Sequence, residues 1–207
     1  MEKIKVKFVQ HFYNSWWLYL LVGSCFIVGM LFGFWGMNSL GNNQASTVQS
    51  LFEEIAVQYG GDFNFAISAR QAVSKNLLNL GKIFLLGLTI IGLPLVLVIV
   101  FTRGFVFGFT IEFFCQTNAW PGSILAFFAL LPPNLLAIPA YILGAVAAIK
   151  FSLYLLRGRQ LRDASISEAF FKYFFMMVAF SLLMLGSALI EGYFSPVIIK
   201  LLLQTGL

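Results

Sequence analysis

A carboxylate, Glu112, interrupts a strongly apolar part of the sequence. An ionisable side chain in such surroundings is costly, so it is a candidate for a function. Gly104 and Gly108 precede it at intervals of four residues, which places all three on one face of a predicted helix. Small residues at this spacing let two helix backbones approach closely. The motif therefore predicts a glycine face for helix contact that ends in a carboxylate.

Three roles are open for Glu112. It could form a buried ion pair or hydrogen bond that fixes helix packing, face a partner protein, or belong to a proton or ion pathway. Lys82 or Lys150 could neutralise the carboxylate, and Asn118 or Asn134 could donate a hydrogen bond to it. A packing role is the interpretation that needs the fewest additional groups.

A second small-residue face is predicted in the first apolar segment. Gly29 and Gly33 are four residues apart, and Gly36 continues the pattern. Such a face is typical of helix packing, either within one chain or across a homo-oligomer.

The motifs of common enzymes are missing from the sequence. It contains no HExxH, no GxSxG and no glycine-rich phosphate loop. Cys25 and Cys115 lie in apolar runs, and His11 is the one histidine, so no set of metal ligands is formed. We therefore expect no catalytic residues, no metal and no cofactor.

The composition indicates an integral membrane protein. The 207 residues are 60% hydrophobic and 10% charged, with a mean hydropathy of +0.90, whereas soluble proteins have about 25% charged residues. The basic residues flank apolar segments, which fits contact with a lipid bilayer better than nucleic-acid binding. We predict one all-α domain, 1–207, built as a polytopic membrane helical bundle.

The apolar runs predict about five membrane spans: 16–40, 77–101, 104–117, 135–156 and 170–190. Trp16 and Trp17 mark a headgroup-level aromatic belt at the start of the first span. That span is too long for a signal-peptide core, so it reads as an uncleaved anchor. Pro94 is expected to kink the second span, and Arg103 to close it at the membrane surface.

A polar outer loop, 41–76, follows the first span. Ser50 and Glu53 form a capping box, and apolar residues recur at helical spacing after it. The apolar face of this helix consists of Val48, Leu51, Phe52, Ile55, Ala56 and Tyr59. We predict an amphipathic outer helix that lies along the bilayer or binds a partner, with Phe52 on the binding face.

Three prolines, Pro132, Pro133 and Pro139, lie within eight residues of the fourth apolar region. Proline removes a backbone donor and breaks a plain helix. We predict a broken segment over 118–131, re-entrant or surface-lying, followed by an outer-face turn at Pro132, Pro133 and Asn134. Such a break must be shielded from lipid by protein.

The basic residues predict the orientation. A cytoplasmic N-terminus would place nine of them inside: Lys3, Lys5, Lys7, Arg103, Lys150, Arg157, Arg159, Arg162 and Lys172. Cytoplasmic loops are enriched in Lys and Arg, so this orientation is preferred. With an odd number of spans, the C-terminus is then outside the cell membrane.

Several stretches carry a resemblance to a known family. "GMNSL" closes the first span, "RGFVFGFT" joins a basic residue to the glycine face, and "LPPNLLAIPAYILGAVAAIKF" contains the prolines. In their order and spacing these stretches resemble the stage II sporulation protein M family of spore-forming bacteria, over nearly the whole chain. The resemblance implies a multi-pass protein of the mother-cell membrane that acts in forespore engulfment.

The sequence is compatible with two functions. The resemblance implies a non-enzymatic scaffold that anchors and recruits the peptidoglycan-degrading stage II sporulation proteins D and P. The alternative is a small transporter or channel, because broken helices near the membrane midplane form ion sites in many transporters. The stretch "GFTIEFFCQTNAWPG", which contains Glu112, is typical of such a broken helix.

Overall fold

The protein is a bundle of helices. The computed structural model describes residues 16–41, 46–47, 50, 65–117, 119–158, 166–194 and 197. The helices are α1 (Trp16–Asn38), α2 (Phe65–Gly87), α3 (Gly92–Thr117), α4 (Ala119–Gly158) and α5 (Ile166–Leu189), and a π-helix (Ile190–Phe194) continues α5. The prediction of an all-helical membrane bundle is confirmed.

Within the described residues, four helical segments are long and apolar enough to cross a membrane: Trp16–Asn38, Gly92–Gln116, Leu130–Leu156 and Ile166–Tyr193. Helix α2 is more polar than these four segments, but it lies beside them in the bundle. Its buried residues recur every three or four positions and face the other helices: Ala69, Ala72, Asn76, Leu80, Ile83 and Gly87. A helix with this spacing is held by packing along one face.

The helices alternate in direction. Contacts between α1 and α3 rise together in residue number, so these two helices are parallel, and α2 returns between them. Helix α4 is antiparallel to both α3 and α5. One end of the bundle, the Trp16 end, therefore contains the start of α1, the end of α4 and the start of α5. The opposite end, the Asn38 end, contains the end of α1 and the π-helix.

The second and third predicted spans, 77–101 and 104–117, differ from the structure. A turn at 88–91 divides the first of them, and α3 then continues without a break from Gly92 to Thr117. Ser152 on α4 donates to the carbonyl oxygen of Thr89 at 2.9 Å, which satisfies a backbone group of this turn. Pro94 lies in the first turn of α3, where its missing N–H leaves no hydrogen bond unmade, so the predicted kink was wrong.

The predicted break at the prolines was also wrong. Pro132, Pro133 and Pro139 lie inside α4, which is helical from Ala119 to Gly158. The predicted outer-face turn at Pro132, Pro133 and Asn134 is therefore replaced by helical backbone, whereas the re-entrant or surface-lying placement of 118–131 stays a prediction. Ser187 on α5 donates to the carbonyl oxygen of Pro133 at 2.7 Å. Neighbouring helices that offer such donors allow proline within a membrane helix.

The tightest helix contact is the seam between α1 and α3, to which both glycine faces contribute. A Cβ added at Gly29 or Gly33 would overlap the backbone carbonyl of Phe101 or Phe105. Conversely, a Cβ at Gly104 or Gly108 would overlap the carbonyl oxygen of Phe26 or Met30. Each glycine face is therefore the partner of the other, and backbone packs directly on backbone.

The predicted amphipathic outer helix falls mostly outside the described residues. Residues 46–47 and 50 are helical, and Phe52 lies outside the described part of the chain. Asn118 lies outside it as well.

Candidate functional site

A polar cavity of about 320 Å³ lies among the helices, in the half of the bundle toward the Asn38 end. All five helices and the π-helix contribute to its lining. The lining contains charged, amide and phenol side chains: Lys75, Asn76, Arg103, Asn134, Tyr141 and Glu191. Polar groups inside an apolar bundle are expensive, so this cavity is the candidate functional site.

Arg103 lies close to the middle of the candidate span Gly92–Gln116. It follows Gly92, the first residue of α3, by eleven residues. At 1.5 Å per residue, that places it about 16 Å along the helix, halfway through a hydrocarbon layer about 30 Å thick. The earlier expectation that Arg103 closes a span at the membrane surface was therefore wrong.

The guanidinium of Arg103 is held by neutral partners. Its Nη2 donates to Oδ1 of Asn76 at 3.1 Å and to the hydroxyl oxygen of Tyr141. Its central carbon lies 4.7 Å from the centre of the Tyr141 ring, which is the geometry of a cation–π contact. The Nε atom is buried and has no hydrogen-bond partner in the described part of the chain.

Asn76 extends this network to a carboxylate. The residue is 4% exposed, and its Nδ2 donates to Oε2 of Glu191 at 3.4 Å. Glu191 lies in the π-helix, a rare element that often occurs at functional sites. Gly192 lets this element approach α2, because an added Cβ would lie 2.7 Å from the Cβ of Ala69. The resulting network, Glu191–Asn76–Arg103–Tyr141, joins α2, α3, α4 and the π-helix.

Glu112 lies outside the cavity lining. It is 7% exposed and accepts a hydrogen bond of 2.8 Å from Nε2 of Gln116, which also donates to Oδ1 of Asn38. Within the described ranges, no ion pair joins it to Lys82 or Lys150. Asn134 donates to the carbonyl oxygen of Leu130 instead. Glu112 thus ends the α1–α3 seam at the Asn38 end.

The other predicted site residues fall into two places. Gly29, Gly33, Gly104 and Gly108 lie in the α1–α3 seam. Pro133 and Asn134 line the cavity, and Pro132 neighbours them on α4.

Sequence reasoning missed the residues of the polar network. Arg103 was predicted to close a span, and Glu191 falls one residue beyond the last predicted span, 170–190. Gly92-Leu93-Pro94 was the usable signal, because proline is favoured in the first turn of a helix. Starting α3 there places Arg103 inside the helix. Asn76 and Tyr141 gave no comparable signal.

No three His, Cys, Asp or Glu side chains come together to hold a metal ion in the part of the chain that the structure describes. The arrangement is that of a polytopic helical membrane protein with an internal polar site. The family model for stage II sporulation protein M matches residues 22–196, so the chain belongs to this family. This confirms the resemblance seen in the sequence and indicates a sporulation-related membrane protein. Comparisons with curated proteins and with solved structures gave no match.

Proposed function

We propose that this protein is a non-enzymatic membrane scaffold that anchors and recruits peptidoglycan-degrading proteins during forespore engulfment. The observation that carries the proposal is the family match over residues 22–196, which spans all five helices. By the resemblance, the recruited partners are the stage II sporulation proteins D and P. The directly packed α1–α3 seam supports an anchoring role, because it fixes the position of the helix ends.

The proposed orientation places the Trp16 end in the cytoplasm. The segments that adjoin this end carry Lys3, Lys5, Lys7, Arg157, Arg159 and Arg162, whereas the loop at the Asn38 end carries Glu53, Glu54 and Asp62. An excess of Lys and Arg in short loops favours the cytoplasmic side. The N-terminus is then cytoplasmic, the C-terminus is outside, and the outer loop faces the cell wall.

Cysteine labelling in intact cells tests this orientation. Asn43→Cys and Arg159→Cys are each placed in a background in which Cys25 and Cys115 are replaced by Ala. A membrane-impermeant maleimide should label the cysteine at 43 in intact cells and the cysteine at 159 only after permeabilisation. Labelling at 159 in intact cells would reverse the orientation and remove the outer loop from the wall side.

Phe52→Glu tests the outer loop as the recruiting surface. The substitution places a charge on the predicted apolar face and should reduce co-purification of the two partner proteins by about tenfold, since a buried contact of this size is worth more than 1.4 kcal/mol. Val57→Glu places the same charge on the opposite side of the predicted helix and is the matched control. Undiminished recruitment by a folded Phe52→Glu protein would exclude this surface.

The second candidate, a small transporter or channel, is favoured by the cavity rather than by Glu112. A transporter needs a polar site near the membrane midplane, and Arg103 lies at that depth. The two functions place their essential residues in different parts of the chain. Substitutions in the cavity should affect transport, whereas substitutions in the outer loop should affect recruitment.

A further inference from the structure

We propose that the cavity beside Arg103 binds a phosphate-type oxyanion, supplied either as a free ion or as the headgroup of an anionic lipid. The proposal goes beyond recruitment and does not depend on it. It starts from the charge of Arg103, which is permanent because a guanidinium does not lose its proton in proteins. Both of its hydrogen-bond acceptors, Asn76 and Tyr141, are neutral.

Arg103 is partly buried, and a guanidinium among apolar helices is stabilised by a negative group close to it. In the described ranges no carboxylate forms an ion pair with Arg103. Glu191 reaches it only through the side chain of Asn76. The Arg103 side chain lines the cavity, and the hydrogen bonds of its Nη2 go to two neutral side chains, so its charge is left for an anionic ligand.

The charges around the cavity favour an anion. Lys75 lines it as a second cation, while Glu191 is the opposing carboxylate. Two basic side chains against one carboxylate favour a net positive lining. A guanidinium matches the spacing of two phosphate oxygens, and an ammonium adds a point charge. Glu191 therefore acts as an internal competitor for the same cations.

The cavity is large enough for a phosphate group and is open to the outside of the bundle. Its volume of about 320 Å³ lies in the range of small-molecule sites. Gln71, Lys75 and Glu191 are exposed, so the lining continues to the outside of the bundle. Phe26 and Phe107 provide apolar lining beside Arg103, against which an acyl chain can pack. Both sources of the phosphate group are therefore compatible with the shape.

The test uses the full-length protein in phosphatidylcholine nanodiscs. In one arm inorganic phosphate is titrated, and in the other phosphatidic acid replaces part of the lipid. The readouts are the thermal unfolding midpoint and, by native mass spectrometry, retained lipid. A rise of the midpoint with inorganic phosphate identifies a free ion as ligand, and selective retention of phosphatidic acid identifies a lipid. No response in either arm would overturn the proposal.

Three variants assign the response to the cavity. Arg103→Gln and Arg103→Lys should each weaken binding by about tenfold, because both lose the planar guanidinium that can donate to two oxygens at once. Glu191→Gln should strengthen it severalfold, since the competing carboxylate is removed, and a misfolded protein cannot give that result. Arg70→Gln, an exposed residue of α2 outside the lining, should change nothing. Unchanged or weaker binding by Glu191→Gln, or equal loss in Arg70→Gln, would overturn the assignment.

Discussion

Replacing Gly33 with Ala should destabilise the protein by about 3 kcal/mol, the upper end of the usual cost of overpacking. The added Cβ would overlap the carbonyl oxygen of Phe105 and lie 2.8 Å from the amide nitrogen of Phe109. Both atoms belong to the backbone of α3, so no side chain can rotate away. The helices must separate, and contacts along the whole seam weaken. The thermal unfolding midpoint in mild detergent measures the loss.

Gly23→Ala is the matched control for this prediction. Gly23 lies on the same helix, and a Cβ there meets nothing within 4 Å. Alanine is the better helix former by about 1 kcal/mol, so the control should be neutral or slightly stabilising. If Gly23→Ala and Gly33→Ala lowered the midpoint equally, the α1–α3 seam could not be the cause.

The helical class and the outermost spans could be predicted from the sequence. Long uncharged runs specify a membrane helix almost by themselves. The predicted spans 16–40 and 170–190 accordingly overlap α1 (Trp16–Asn38) and α5 (Ile166–Leu189) closely. The four-residue spacing of the glycines likewise indicated close helix contact. The spacing did not predict that the two glycine faces contact each other, because a single sequence does not show which helices are neighbours.

The central hairpin could not be predicted from hydropathy. The turn at 88–91 consists of Leu, Thr, Ile and Ile, which read as part of a span. Its exposed carbonyl is satisfied by Ser152, a residue far away in the sequence. The prolines of α4 present the same difficulty, because Ser187 comes from another helix. Contacts between segments far apart in the sequence decide where the helices break and where they continue. Such contacts cannot be predicted when each segment is considered by itself.

The candidate site was missed for a related reason. A charge next to an apolar run is normally a flanking residue, and this rule misplaced Arg103. The neutral side chains that hold the charge within the bundle, Asn76 and Tyr141, come from α2 and α4. The network exists only once α2, α3, α4 and the π-helix are assembled.

Asn76→Leu should therefore cost about 3 kcal/mol of stability, although leucine is apolar and similar in size. The substitution removes the acceptor of Arg103 and the donor to Glu191 together. Arg103 is partly buried, and a lost hydrogen bond to a charged group costs about 1.5–3 kcal/mol, more than the loss of an ordinary hydrogen bond. The thermal unfolding midpoint of the protein in nanodiscs should fall accordingly.

Asn134→Leu separates this effect from the general loss of a polar group in the cavity. Asn134 also lines the cavity, but its side chain donates to Leu130 within its own helix. A side-chain hydrogen bond in a membrane protein is worth about 0.6 kcal/mol on average, so this variant should remain near the stability of the original protein. Equal losses in the two asparagine variants would mean that Arg103 does not depend on Asn76. In that case other groups in the cavity must stabilise the charge of Arg103.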